Sequence, residues 1–139
     1  MAHILFLCTG NSCRSQMAEG WARHMHGTRH QFYSAGVEKH GLNPTAVQVM
    51  READVDISAH TSKTLAELGD TQLDTVFTVC GHADETCPVF PAAVRKIHVG
   101  FDDPPKLARS AKNEAEALGH YRRVRDEIRD FVAHLDDYL

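Results

Sequence analysis

Apolar positions along this chain fall into two alternating rhythms. Residues 4–7 (Ile4, Leu5, Phe6, Leu7) are an unbroken apolar run that stops at Thr9-Gly10-Asn11, the pattern of a buried strand ending in a turn. From Ser15 the period changes. Met17, Trp21 and Met25 recur every four residues with Ala18 and Ala22 beside them, an amphipathic helix that Gly27 can end. Residues 31–35 predict a second strand, closed by Gly36, and Asn43-Pro44 reads as an N-cap and first helical residue ahead of the stripe Ala46, Val49, Met50, Ala53. Residues 62–68 predict a short helix stopped by Gly69. Residues 75–79 form a β-branched and aromatic strand running into Cys80, and residues 96–100 a weaker strand before Asp102-Asp103-Pro104-Pro105. Tyr121, Val124, Ile128, Phe131 and Leu135 line one face of a C-terminal helix. Its other positions, Arg122, Arg123, Arg125, Asp126, Glu127 and Arg129, read as solvated i,i+4 partners.

Strands alternating with helices imply an α/β domain with a parallel sheet, in which ligands lie beyond the carboxyl ends of the strands. Cys8, Cys80 and Asp103 each follow a predicted strand, so the topology carries them toward one edge. No repeat, low-complexity tract or linker interrupts residues 1–139, which are read as one domain. A formal net charge of −4 gives no reason to expect nucleic acid or an anionic membrane as partner, so an anion site must be built locally. No apolar run is long enough for a bilayer span, and the N-terminus runs into a motif without a basic leader, which points to the cytoplasm, where thiols stay reduced. The densest histidines, His24, His26 and His30, read as a solvated helix end, because no ligand set completes a metal site around them.

The sharpest signal is Cys8-Thr9-Gly10-Asn11-Ser12-Cys13-Arg14-Ser15, a Cys and an Arg six positions apart between a strand and a helix. A short loop opening a helix aims successive N–H groups and the positive end of the helix dipole at one point, which suits a tetrahedral oxyanion. Gly10 permits close backbone approach and Arg14 offers a planar fork to two anion oxygens. The same field is expected to lower the Cys8 thiol into the ~3.5–7.5 range found at such sites. Ser15 is read as donating its hydroxyl to the Cys8 sulfur or capping the helix, the commoner role for a serine there, Cys13 as a small side chain filling space behind the anion, and Asp103 as the general acid that protonates a leaving oxygen.

A phosphatase needs one cysteine; this chain has four, and Cys80 and Cys87 flank Gly81-His82-Ala83-Asp84-Glu85-Thr86 after a strand. A relay accounts for them: Cys8 attacks an oxidised anion, Cys80 attacks the Cys8 adduct, and Cys87 attacks the Cys8–Cys80 disulfide. Cys80, His82 and Cys87 also offer three zinc-type ligands, but no fourth accompanies them.

The loop with Gln16 to Trp21, then Tyr33-Ser34-Ala35-Gly36, His60-Thr61-Ser62, the Cys80 and Cys87 pair with Pro88, Gly100 to Pro104, and Arg122 to Ile128 together resemble the thioredoxin-coupled arsenate reductases. These share the low-molecular-weight tyrosine phosphatase fold. The resemblance spans nearly the whole chain. It implies a three-layer α/β/α fold around a central four-stranded parallel sheet, arsenate as substrate with phosphate or sulfate as competing oxyanions, and thioredoxin as reductant of a monomeric enzyme. It also implies Cys8 as nucleophile, Arg14 with the amides of residues 9–15 as oxyanion clamp, Asp103 as acid, and Cys80 and Cys87 as the redox relay. Members of the family bind potassium through positions that here are Asn11, Glu19, Ser34 and Thr61, with a carboxylate two residues after Thr61. Lys63 stands there instead: either its ammonium replaces the cation and pairs with Glu19, leaving no cofactor, or it is an outward-pointing surface lysine and a potassium site is retained. Two rivals remain. A tyrosine phosphatase would want an aromatic platform after Asp103-Pro104, where Pro105, Lys106 and Leu107 follow, so only slow side activity on artificial esters is expected. A redox or metal switch on Cys80 and Cys87 leaves Cys8 and Asp103 unused.

Overall fold

The computed structural model describes residues 1–81 and 90–139; Cys87, His82 and Pro88 lie outside the described residues. Four parallel strands, β1 (His3–Cys8), β2 (Gln31–Gly36), β3 (Thr75–Thr78) and β4 (Arg95–His98), form one sheet in the order β2-β1-β3-β4. The predicted α/β architecture is borne out. Ile4 to Leu7 of β1 are fully buried. Because side chains alternate along a strand, this means that both faces of β1 are covered. On the Phe6 face the ring stacks on Phe32 and Phe77 and meets the edge of Phe131.

Helices α1 (Arg14–His26), α2 (Pro44–Glu52), α3 (Pro104–Arg109) and α4 (Glu114–Ala133) complete the frame. Asn43 caps α2 as expected, its Oδ1 accepting from the N–H groups of Thr45 and Ala46, with Pro44 at the first position. Three readings change. The helix expected over 62–68 shrinks to a 3-10 turn, Leu65–Leu68, because Thr64 caps it in a reciprocal box with Glu67 while residues 62 and 63 bond elsewhere. Asp102-Asp103-Pro104-Pro105 is not a plain loop: Asp103 precedes α3, whose first turn carries the prolines. Helix α4 begins earlier than its apolar stripe, where Asn113 accepts from the Glu116 N–H. Its arginines are not all solvated either. Arg122 makes a bidentate pair with Glu52, and Arg125 donates to the Val49 carbonyl, which ties α4 to α2. The Arg123–Glu127 i,i+4 pair is present as read.

Strand register sets the site. Cys8 is paired with Gly36, and the Val79 N–H reaches Leu7, so Cys80 emerges beside Cys8. A Cβ at Gly36 would lie 2.2 Å from the Glu38 carbonyl oxygen and 2.8 Å from the Asn11 nitrogen, both backbone. Gly36→Ala should therefore cost about 2–3 kcal/mol, measured by denaturant midpoint, and weaken oxyanion binding, because the nearest way out is through the loop.

Candidate active site

The loop from Cys8 to Arg14 turns its carbonyls outward. Those of Cys8, Thr9, Gly10 and Ser12 accept from the backbone N–H groups of Val37, Glu38, His40 and Asn43, and that of Cys13 from Met17. The Asn11 carbonyl accepts from Gln16 Nε2 at 3.1 Å. Peptide groups are planar and trans, so outward carbonyls set their N–H groups to the opposite side. Among the described residues none of the N–H groups of residues 10–14 meets a protein acceptor. The result is a concave set of free donors at the start of α1, the arrangement that receives an anion. Asn11 makes the reversal possible with a φ of +47°, a left-handed conformation costing about 1 kcal/mol that Asn tolerates better than most residues.

Donors and the opposite wall meet across one cavity of about 330 Å³, lined by Cys8, Thr9, Gly10, Ser12, Cys13 and Arg14 together with His40, Asn43, Asp103, Pro105 and Arg109. Arg14 is largely buried. Its Nη1 donates to the Phe101 carbonyl at 3.1 Å and its Nη2 lies 3.7 Å from Asp103 Oδ2. The predicted clamp and the predicted acid thus share a wall. Among the described residues no Phe, Tyr or Trp lines the cavity, which leaves an aryl group without a platform there. Sequence reasoning missed His40, Arg109 and Gln16. His40 was one histidine among ten, although its position just ahead of the Asn43 cap places it beside the loop. A larger hollow, about 570 Å³, lies beside the segments leading into β3 and β4, and among the described residues neither a cysteine nor an arginine lines it.

A second sulfur, that of Cys80, lies behind Cys8, outside the lining of the cavity. Both thiols are buried, and Thr9 Oγ1, next along the chain from Cys8, lies 3.1 Å from Cys80 Sγ. The hydrogen bond to Cys80, and burial after it, push the Cys8 thiol well above the ordinary value, against Arg14 and the Thr9 N–H, which pull it down. This reverses the expectation of a lowered thiol. The sequence placed Cys80 at the same edge as Cys8, but not the burial of both sulfurs side by side, and two adjacent buried thiolates are unfavourable. Burial likewise pushes the Cys13 thiol up, which keeps it protonated. Among the described residues Cys8 and Cys13 form no disulfide. Ser15 does not cap α1: its Oγ accepts from Asn11 Nδ2 at 2.9 Å inside the protein.

Residues 3–138 match the model of the low molecular weight phosphotyrosine protein phosphatase family. The chain belongs to that family. Its similarity is stronger to particular members. It is 52% identical over 125 residues to arsenate reductase 2 of Staphylococcus saprophyticus and 51% identical over 125 residues to the arsenate reductase of Bacillus subtilis, in each case covering 90% of this chain and 88% of the relative. A solved arsenate reductase in its oxidised state superposes with a TM-score of 0.82 at 28% identity, covering 99% of this chain and 98% of the other.

The residues expected around a cation in this phosphatase-family chain are already engaged. Glu19 accepts from Ser34 Oγ and pairs with Arg23 Nε at 2.9 Å, one turn along α1, with His60 Nε2 4.0 Å away. Asn11 Oδ1 accepts from Gln16 and from the Lys63 N–H, while Thr61 O accepts from Gln16 and from Lys63 Nζ at 2.9 Å. The Lys63–Glu19 pair is therefore not formed, because Arg23 reaches the carboxylate first at the i,i+4 spacing. With the carboxylate already paired and those oxygens accepting N–H donors, the set does not fit a potassium ion. Among the described residues no His, Cys, Asp and Glu cluster could hold a metal.

Proposed function

We propose that this chain reduces arsenate to arsenite by a three-cysteine relay. The observation that carries the reading is a second buried thiol, Cys80, which the β1–β3 register sets beside Cys8 at the base of a donor-lined oxyanion cradle, 3.1 Å from Thr9 Oγ1. Arsenate enters among the free N–H groups and the Arg14 fork. The Cys8 proton leaves to solvent, and the thiolate attacks arsenic. As the S–As bond forms an As–O bond breaks, and Asp103 protonates the departing oxygen, which leaves as water. The Cys80 thiolate then attacks Cys8 Sγ. The S–As electron pair passes to arsenic, which goes from pentavalent to trivalent and departs as arsenite, while Cys8 and Cys80 become a disulfide. Cys87 attacks Cys80 Sγ and frees Cys8, and thioredoxin reduces the resulting Cys80–Cys87 bond.

The family fold supports slow hydrolysis of artificial phosphate esters as a side reaction, and phosphate and sulfate compete for the cradle. No helix among the described residues is long and apolar enough to cross a membrane. We place the enzyme in the cytoplasm as a single-domain monomer. The test is arsenate-dependent NADPH consumption in the presence of thioredoxin and its reductase. Steady turnover is expected, lost in Cys87→Ser; turnover that persists without Cys87 rejects the relay. Replacing sodium by potassium in the same assay should leave kcat/KM unchanged, since Arg23 and Lys63 already occupy the oxygens concerned, and a several-fold rise would reject that assignment.

A further inference from the structure

We infer that Gln16 is a positioning residue for oxyanion capture: its side-chain amide locks the Asn11–Ser12 peptide with the carbonyl outward, so that the Ser12 N–H faces the cavity. Gln16 lies in the first turn of α1 and is fully buried. Its Nε2 is within 3.1 Å of Asn11 O, 3.0 Å of Asn11 Oδ1 and 3.0 Å of Thr61 O. Its Oε1 lies 3.0 Å from His60 Nδ1. The orientation of the amide is forced. Two of the three oxygens around Nε2 are backbone carbonyls, which only accept, so a flipped amide would set oxygen against oxygen. His60 Nδ1 must then carry the proton donated to Oε1.

What singles out Gln16 is that its bond has no substitute. The other carbonyls from Cys8 to Cys13 are each held by a backbone N–H, from residues fixed by the sheet and helices. Among the described residues the Asn11 carbonyl is held by a side chain alone, and Asn11 is also the left-handed residue of the loop. Removing the amide leaves one peptide of the cradle free to rotate and turn its oxygen, with the wrong charge, toward the anion. The remaining Asn11 contacts, to Ser15 and to the Lys63 N–H, hold the side chain and not that peptide.

The inference rests on the oxyanion-binding half of the proposed function and is independent of the thiol relay, so its test uses phosphate and an aryl phosphate without arsenate. Gln16→Met keeps length and apolar packing while deleting the donor. Loss of one N–H to a charged ligand should raise the inhibition constant for phosphate and the KM for aryl phosphate on the order of tenfold. The alkylation profile of Cys8 should move to higher pH. A purely structural role would reduce the active fraction and the melting temperature and leave the inhibition constant, which does not depend on enzyme concentration, within twofold of wild type. That result would overturn the inference. If Gln16→Met does not fold, Gln16→Leu also deletes the donor without adding an oxygen and has the same expected outcome. The wild-type protein supplies a test that needs no variant: titration with phosphate should shift the Ser12 amide resonance in a ¹⁵N–¹H spectrum. A Ser12 amide that stays still rules the arrangement out.

Discussion

Cys80→Ser is expected to abolish arsenate turnover while leaving aryl-phosphate hydrolysis at least as fast as in wild type, and Cys8→Ser to abolish both. The split follows from where the two sulfurs lie. Cys8 sits at the base of the cradle at the end of β1, among the described residues the one thiol placed both to meet an anion held by Arg14 and to receive the Thr9 N–H. Its loss should lower either reaction on the order of 10⁴-fold or more, the scale seen when a covalent nucleophile is removed. Cys80 takes no part in ester hydrolysis, where water releases the phosphoryl group. It has a measurable effect on Cys8 all the same. As the largest influence raising the Cys8 thiol, its removal should move the pH profile of Cys8 alkylation to lower pH, and the thiolate fraction near neutrality should rise. A Cys8 profile unchanged in Cys80→Ser would mean that the two sulfurs do not interact in solution.

The second large effect is expected at Arg14. Arg14→Lys keeps the charge and loses the fork, which in this structure spans the Phe101 carbonyl and the Asp103 carboxylate from a largely buried position. A lysine ammonium cannot bridge that wall and also present two parallel donors to an oxyanion. The substitution should cost roughly 10²–10³-fold in kcat/KM for arsenate and for aryl phosphate alike, the loss expected when a preorganised donor is removed from a developing negative charge. Phosphate inhibition should weaken in parallel, with little change in melting temperature. If Arg14→Lys changed arsenate reduction alone, the view that both reactions use one cradle would fail.

Much of this was readable from residue order, for physical reasons that can be named. The four strands and the helices after β1 and β2 announced themselves through period, and Asn43-Pro44 through capping chemistry, because these depend on neighbours in sequence. Cys8, Cys80 and Asp103 were placed at one edge by topology alone. What escaped were contacts between distant segments. The direction of the Cys8 shift depends on a sulfur 72 positions away, brought alongside by the β1–β3 register. Gln16 stands between Ser15 and Met17 and has no periodic signature, since its role is to satisfy a carbonyl that turns outward only once the loop has closed. The Glu19–Arg23 pair is different. Its i,i+4 spacing was visible, and reading it would have prevented the assignment of Lys63 to Glu19. Prolines at the start of a helix were the unread sign of α3.

The relay is tested most directly by a single turnover without thioredoxin: fully reduced wild-type enzyme is mixed with arsenate, quenched with an alkylating agent and mapped by peptide mass spectrometry while arsenite is counted. One arsenite per chain should appear together with a Cys80–Cys87 disulfide, with Cys8 and Cys13 alkylated. Arsenite formed with Cys80 and Cys87 both still alkylatable, or a disulfide joining Cys8 to Cys13, would contradict the mechanism.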